Sequence, residues 1–314
     1  MPSSRYVRRP LSGERLVLTF RDLEILGRVY NHRFMRAEHL HPLCFRGRTL
    51  RVAQARLAKL WHHGYLDRHF VPYALDGTRR APSEAATPVY ALGERGLETL
   101  HKAVGDPTLL GGVARNRAFS PVTLAHRLIV TDLLASLEAA ALEKGIAGQV
   151  AIEHEWWLWK KAGERKASTH GLAVPDGAFT LRGPDRSEPE TWYVEIARAG
   201  VSGGNETLLA KMRRYLALRA EGRFKQAFGH ERVRGVLIAA PTPERARNLR
   251  ALASRLSSGS RFFAFTHYED RRGDRRLRRF RTETVLDLGW TDGAGGIVRI
   301  ADSGERNAPQ RPSA

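Results

Sequence analysis

The stretch Arg48 to Leu66, RTLRVAQARLAKLWHHGYL, leaves little choice of local structure. Leu50, Ala53, Leu57, Leu60 and Trp61 recur at the spacing of one helix face, so they form a single apolar stripe. Arg48, Arg51, Gln54, Arg56 and Lys59 lie off that stripe. Gly64 follows, where a left-handed residue ends a helix at least cost, and a strand-like run begins behind it. The spacing predicts a helix over Arg48 to His63 with one buried and one basic side. A basic helix with a buried stripe and a turn at each end is suited to the major groove of duplex DNA. The plainer alternative is an ordinary solvated helix face.

A helix of this kind needs a partner for its charged side, and the bulk charge suggests one. The 314-residue chain carries 52 Lys and Arg against 33 Asp and Glu, a formal net charge of +19, with a pI near 10.9. Such a surplus favours a polyanionic partner, most often nucleic acid. A high-GC genome that writes arginine where others write lysine is the competing explanation. Cys44 is the one cysteine, which argues against a disulfide scaffold and for a reducing compartment. No apolar run approaches the roughly 18 residues of a spanning helix. MPSSRYVRRP has basic residues with no apolar core after them, unlike a secretory signal. A cytoplasmic protein is expected.

Around the basic helix, a succession of elements suggests a small domain. Thr19 caps a helix, with Asp22 three residues on, and Leu23, Leu26 and Tyr30 continue its stripe over Phe20 to His32. Arg36 to Leu43 makes a short second helix and Arg48 to His63 the third. Tyr65 to Tyr73 reads as a strand, Ala74 to Pro88 as a solvated loop, Val89 to Leu92 as a returning strand, and Gly96 to Ala103 as a further helix. This order is that of a winged helix-turn-helix, with Arg79 and Arg80 in the wing loop able to reach a phosphate or the minor groove. Some winged domains bind protein instead. His39, His41 and Cys44 do not make a metal site, since residues two apart point to opposite sides of a helix. His62 and His63 are expected to interact with the last carbonyls of the third helix.

The expected organisation is a flexible N-terminus over 1–14, the winged domain over 15–104, and a Gly-, Pro- and Asn-rich linker over 105–120. An α/β domain follows over 121–291 and a disordered tail over 292–314. In the α/β domain, Val122 to Lys144 is a long helix and Val150 to Trp159 a strand candidate with three tryptophans. Val174 to Leu181 and Thr191 to Ile196 are further strands, followed by a helix over Thr207 to Glu221. Val233 to Ala240 is a strongly apolar strand, Pro243 to Ser257 a helix, and Arg261 to His267 another strand. The order αβββαβαβ predicts a mixed sheet with helices on its faces, an α/β fold, α+β taken over the whole chain.

Val174-Pro175-Asp176 opens one of these strands and Val194-Glu195-Ile196-Ala197-Arg198 closes the next. A carboxylate on each of two adjacent strands can hold a divalent metal such as Mg²⁺ against a phosphate, with a lysine to neutralise developing charge. This pattern resembles the PD-(D/E)xK nuclease superfamily, whose core is αβββαβ. The resemblance implies Asp176 and Glu195 as metal ligands and catalytic groups. It also implies a lysine two residues after Glu195, where Ala197 stands. Lys211, from the next helix, is the candidate substitute, and Glu138 a candidate third carboxylate. Arg198 points to the opposite face from Ala197.

Taken end to end, the chain resembles the replication-relaxation family of bacterial plasmid and mobile-element proteins. The residues that carry this are Thr19-Phe20-Arg21-Asp22 with Ile25-Leu26, Arg51 to Leu60 with Gly64-Tyr65-Leu66, and Val89-Tyr90-Ala91-Leu92 with Gly96. His126, Pro175-Asp176 and Glu195 complete the set. Family members commonly show an acidic residue two after the glutamate, so Ala197 departs from both patterns and favours a nuclease-like domain that is degenerate.

Two features remain. Trp156, Trp157 and Trp159 suit a large core or a protein interface, with base stacking as the alternative. Arg271 to Arg281, RRGDRRLRRFR, reads as a basic hairpin loop in which Arg271, Arg272, Arg275, Arg276, Arg278 and Arg279 meet phosphates without reading sequence. Three functions are open on these grounds. The first is a double-stranded-DNA-binding protein of plasmid replication or mobile-element control. The second is a metal-dependent endonuclease delivered by the winged helix, and the third a protein-interaction module. Other replication or mobile-element proteins and a second copy of the chain are candidate partners.

Overall fold

A computed structural model describes residues 16–70, 87–104, 121–165, 172–182, 188–197, 204–256, 260–268, 280, 285–286 and 290–300. The fold is mixed α/β, N-terminal helices followed by a seven-stranded mixed sheet with further helices. The chain divides into two compact units, the first taking residues up to Ala139 together with Arg198–Gly204 and Tyr268–Phe280. Among the described residues no helix is long and apolar enough to cross a membrane.

The first unit begins with three short helices, α1 (Phe20–His32), α2 (Ala37–Cys44) and α3 (Leu50–His62). Thr19 starts α1 as expected: its backbone N–H and its hydroxyl both donate to Asp22 Oδ2, at 2.7 and 2.8 Å. Ile25, Leu26 and Val29 are wholly buried. The turn into α3 is tied by His41, whose Nε2 meets the Arg48 carbonyl at 2.6 Å. Helix α3 ends as its sequence predicts. Gly64 takes φ +79°, its N–H donates to the Trp61 carbonyl and that of Tyr65 donates to the Leu60 carbonyl, each at 3.0 Å. This pairing is a Schellman motif, which satisfies carbonyls that a bare helix end would leave open.

Strand β1 (Leu66–His69) pairs antiparallel with β2 (Val89–Leu92). β1 stops at His69, short of the Tyr73 the sequence suggests, and 71–86 lie outside the described residues. Met35 bridges Tyr90 on the free edge of β2, so the short ribbon is anchored to the segment between α1 and α2. Helix α4 (Glu94–Val104) follows. Helix α5 (Pro121–Glu143) lies in this unit up to Ala139. Leu124, Ala125 and Leu128 of α5 share a buried cluster with Phe34, Val89 and Ala91. Polar groups pin it further: His39 Nε2 meets Asp132 Oδ1, and Glu138 receives Arg28 Nη1 and faces His32 Nε2 at 3.3 Å.

The second unit is built on the sheet. Strands β3 (Val150–His154), β4 (Gly177–Leu181), β5 (Glu190–Ile196), β6 (Arg232–Ala240), β7 (Phe263–His267), β8 (Trp290–Asp292) and β9 (Ile297–Val298) lie side by side in that order. β3, β4 and β5 are antiparallel, β5, β6 and β7 parallel, and β7, β8 and β9 antiparallel again. Parallel neighbours need crossovers, supplied here by α7 (Gly204–Ala220) with α8 (Arg223–Phe228), and by α9 (Pro243–Ala253). Tyr193, Ala197, Val236, Ile238, Phe263 and Phe265 of the sheet share one core with Met212, Tyr215, Leu218, Leu249 and Ala253 of the helices.

Three expectations for this region change. The segment that reads as a strand to Trp159 is a strand only to His154; Glu155–Glu164 is a helix, α6, that buries Leu158 and Ala162 four residues apart. Helix α8, opened and closed by left-handed Gly222 and Gly229, goes unseen in a sequence reading that ends the preceding helix at Glu221. The disordered tail expected from Asp292 does not begin there: Trp290 is 1% exposed, Ile300 1%, and Asp292 Oδ1 accepts the N–H groups of Ala294 and Gly296 to close the β8–β9 turn. Residues 301–314 lie outside the described residues.

Candidate functional site

Helix α3 presents its charge in a narrow arc. Ala53, Leu57 and Leu60 are wholly buried and Trp61 nearly so. At the pitch of an α-helix, Arg51, Val52, Ala55 and Lys59 fall within about 100° of arc on the opposite side, and all four are exposed; Arg48, also exposed, precedes the Thr49 cap and the helix. Gln54 is exposed about 60° beyond the Arg51 edge of that arc. The helix contains no Asp or Glu. Neighbouring cations brace it: the Arg68 guanidinium stacks 3.7 Å over the Trp61 ring, and Arg95 Nη1 donates to the His63 carbonyl at 2.9 Å while its guanidinium covers Tyr65. Arg95 thus satisfies one of the carbonyls at the helix end that His62 and His63 were expected to serve. His62 lies against Trp61, ring centroids 4.4 Å apart.

Arg56 stands apart from the other basic residues of α3. Its Nε donates to Asp22 Oδ1 at 2.8 Å, its Nη2 to Asp22 Oδ2 and to the Val17 carbonyl at 3.1 Å. Asp22 is 0% exposed. Burial pushes its carboxyl up, but Arg56 and Thr19 outweigh that and hold it below the usual carboxylate value. The bidentate pair therefore locks α3 to the start of α1. Nothing near Arg56 in the sequence announces this, because its partner lies two helices earlier.

The second candidate centres on Glu195, at the end of β5. Extending the β4–β5 register by one step sets Asp176 opposite it. Asp176 Oδ2 accepts the Ile196 N–H at 2.9 Å, and its carbonyl accepts the Glu155 N–H at 3.0 Å. Glu195 is 4% exposed. Lys211 Nζ lies 2.6 Å from Oε1 and 2.8 Å from Oε2, and the Tyr215 hydroxyl donates to Oε1. Lys211 and Tyr215 are four residues apart on α7, so one helix face delivers both groups to one carboxylate. Burial pushes the Glu195 carboxyl up to about 7; Lys211 pulls against this and the Asp176 charge adds to it. For Lys211, burial acts to lower the ammonium, but Glu195 and Asp176 hold it above its ordinary value. Burial and Glu195 push the Tyr215 phenol well up.

The structure therefore brings Lys211 to Glu195 and accounts for Ala197. Ala197 lies on the same face of β5, 5% exposed, in the core with Tyr193 and Tyr215. A lysine there would enter apolar surroundings, which is costly without a partner. Glu138, the candidate third carboxylate, is bound within the first unit, where His32 and Arg28 outweigh burial and keep its carboxyl below the usual value. Among the described residues no group of three or more His, Cys, Asp or Glu is placed to hold a metal. A divalent cation at Glu195 would compete with Lys211 for the same two oxygens.

Other candidates fall as follows. Arg79 and Arg80, Arg198, and Arg271, Arg272, Arg275, Arg276, Arg278 and Arg279 lie outside the described residues. Trp156 and Trp157 stack with centroids 4.1 Å apart, Lys160 lies over Trp157, and Trp159 is 45% exposed. One polar cluster has no sequence signal: His230 links the Tyr193 hydroxyl at 3.0 Å to Glu153 at 2.7 Å, and Lys161 holds the other Glu153 oxygen. His230 and Lys161 outweigh burial and draw the Glu153 carboxyl below its usual value.

A family model described as replication-relaxation matches residues 26–232, more than half of the chain. Neither a curated protein nor a solved structure matches it.

Proposed function

This chain belongs to the replication-relaxation family, and on that footing we propose that it is a DNA-binding protein of plasmid replication or mobile-element control. In this reading the first unit is a winged helix-turn-helix, α3 enters the major groove, and the second unit is a nuclease-like scaffold that has lost its reaction. The observation that carries it is the exposed face of α3, Arg51 and Lys59 with no acidic residue on the helix, opposite a buried stripe, with exposed Arg48 just ahead of the helix and exposed Gln54 on it. Arg56 serves by fixing the helix rather than by touching DNA. The scaffold reading is supported by Lys211, whose ammonium already neutralises the Glu195 carboxylate that a metal would need.

The test is a mobility shift of the full chain on duplex DNA over a salt series. Binding that falls steeply with salt, with a log–log slope reduced by about 1 in each of Arg48→Ala, Arg51→Ala and Lys59→Ala, is the expected result. No shift of any duplex at low salt refutes it. The endonuclease reading has its own support, since Lys211 stands where a displaced catalytic lysine would stand beside Asp176 and Glu195. Incubation of supercoiled DNA with Mg²⁺ or Mn²⁺ decides between them. The scaffold reading expects no nicking; nicking that Glu195→Ala abolishes establishes the enzyme.

A further inference from the structure

Val52 is the one large apolar side chain of α3 that the fold leaves exposed, at 44%. The buried stripe is complete without it, and a β-branched residue at an exposed helix position costs helix stability relative to alanine. An isolated surface valine would mean nothing by itself. This one lies at the edge of the basic arc, about 20° round the helix from Lys59 and about 100° from Arg51, with the small Ala55 between them. Its other flank is closed by Arg56, held to Asp22. The arc that would face DNA therefore has an apolar point at one edge, with Lys59 next to it and Arg51 at the other edge.

We infer that Val52 contacts the 5-methyl group of a thymine in the major groove and makes the protein selective for thymine at that position. This rests on the reading of α3 as the helix that enters duplex DNA. The edges of the base pairs in the major groove are donors and acceptors apart from the thymine methyl, so that methyl is the apolar partner available there. The surrounding charge selects a polyanion over a protein surface. B-form DNA is selected over RNA, because the A-form major groove is too narrow for a helix and uracil carries no methyl.

The experiment uses the full chain. Duplexes are selected from a random pool, and on the best site each thymine is replaced singly by deoxyuridine, which pairs identically and lacks only the methyl. At one position per bound helix the wild type should lose about 4-fold in affinity, the worth of one buried methyl-sized group. Val52→Ala should bind the thymine site more weakly and show no uracil penalty at that position. Val52→Thr, which keeps one methyl at similar volume, should retain part of it, and an unchanged thermal melt confirms that both variants fold. Two results overturn the inference alone: a wild type that binds tightly yet ignores uracil at every thymine, or a Val52→Ala protein that keeps the full penalty. Absence of any duplex binding by the wild type overturns the proposed function as well.

Discussion

Replacing Lys211 by methionine should destabilise the second unit by an amount that depends on pH. In the native protein Glu195 is 4% exposed and depends on Lys211 and Tyr215 for its charged form. Its carboxyl ionises at about 7 in the folded chain, against 4.5 ordinarily. Folding thus favours the protonated form, and that benefit is complete below pH 4.5 and lost as the pH rises through 7, about 3 kcal/mol in all. Lys211→Met preserves the apolar stem but removes the compensating charge. Above pH 8 it leaves a buried, half-partnered carboxylate, which costs about 3–5 kcal/mol. At pH 5.5 Glu195 is protonated in either protein, and the cost shrinks to one lost hydrogen bond, about 1 kcal/mol. The assay is thermal denaturation at pH 5.5 and 8.5. At about 2–4 °C per kcal/mol for a unit of this size, the variant should melt some 6 °C or more below wild type at pH 8.5 and only a few degrees below at pH 5.5. Glu195→Gln with Lys211→Met, which removes both charges, should recover most of the loss. Equal losses at the two pH values, or no recovery in the double variant, would refute the account of Glu195 as a carboxylate stabilised by Lys211.

Arg56→Ala should lower the melting point of the first unit by the equivalent of about 3 kcal/mol, since it strands fully buried Asp22; Arg51→Ala should leave the melt unchanged and weaken DNA binding. Because the Asp22 carboxyl is held below its ordinary value of 3.8, the Arg56 contribution is present above that pH and disappears as the pH falls through the lower folded value, which an acid titration of both proteins measures. Gly96→Ala should destabilise α4 by about 1–3 kcal/mol in urea despite the better helix propensity of alanine, because the new methyl would collide with the backbone carbonyl of Tyr65. Trp290→Ala should cost about 3–5 kcal/mol by the same measurement, since this residue is buried and its Nε1 donates to the Val285 carbonyl at 2.8 Å; a loss below 1 kcal/mol would mean that β8 is peripheral to the sheet.

Much of the fold is legible in the order of residues, and the failures share a cause. Helix α1, the buried stripe of α3, the Gly64 stop and the apolar strand β6 are read correctly because each depends on periodicity or on neighbours a few residues away, whereas α3 starts at Leu50, two residues after the expected Arg48, behind the extended cap Thr49. The helix Glu155–Glu164 is misread because its three tryptophans mimic a strand until Leu158 and Ala162 are seen to face one core. β8 and β9 are missed because a three-residue and a two-residue strand carry no pattern of their own; β7 supplies the edge on which they form. At the candidate site, Asp176 and Glu195 are found from their places at the ends of adjacent strands and Lys211 as the candidate substitute on the next helix, while Tyr215, the other partner of Glu195, carries no signal in the sequence.

The amino-acid sequence alone determines which side of α3 is buried, where that helix ends, and that the chain carries a large positive surplus on a mixed α/β frame. These are local or additive properties, set by spacing and by charge count. Tertiary structure decides which charges remain available. It commits Arg56 to Asp22, Glu138 to Arg28 and His32, and Lys211 to Glu195, and it leaves Arg51, Val52 and Lys59 on an exposed face of α3 with Arg48 exposed ahead of it. Each of those pairings joins separate elements, and an ion pair within hydrogen-bond reach requires the registers and crossovers of those elements to agree within an ångström or so, which no pattern along a single segment encodes.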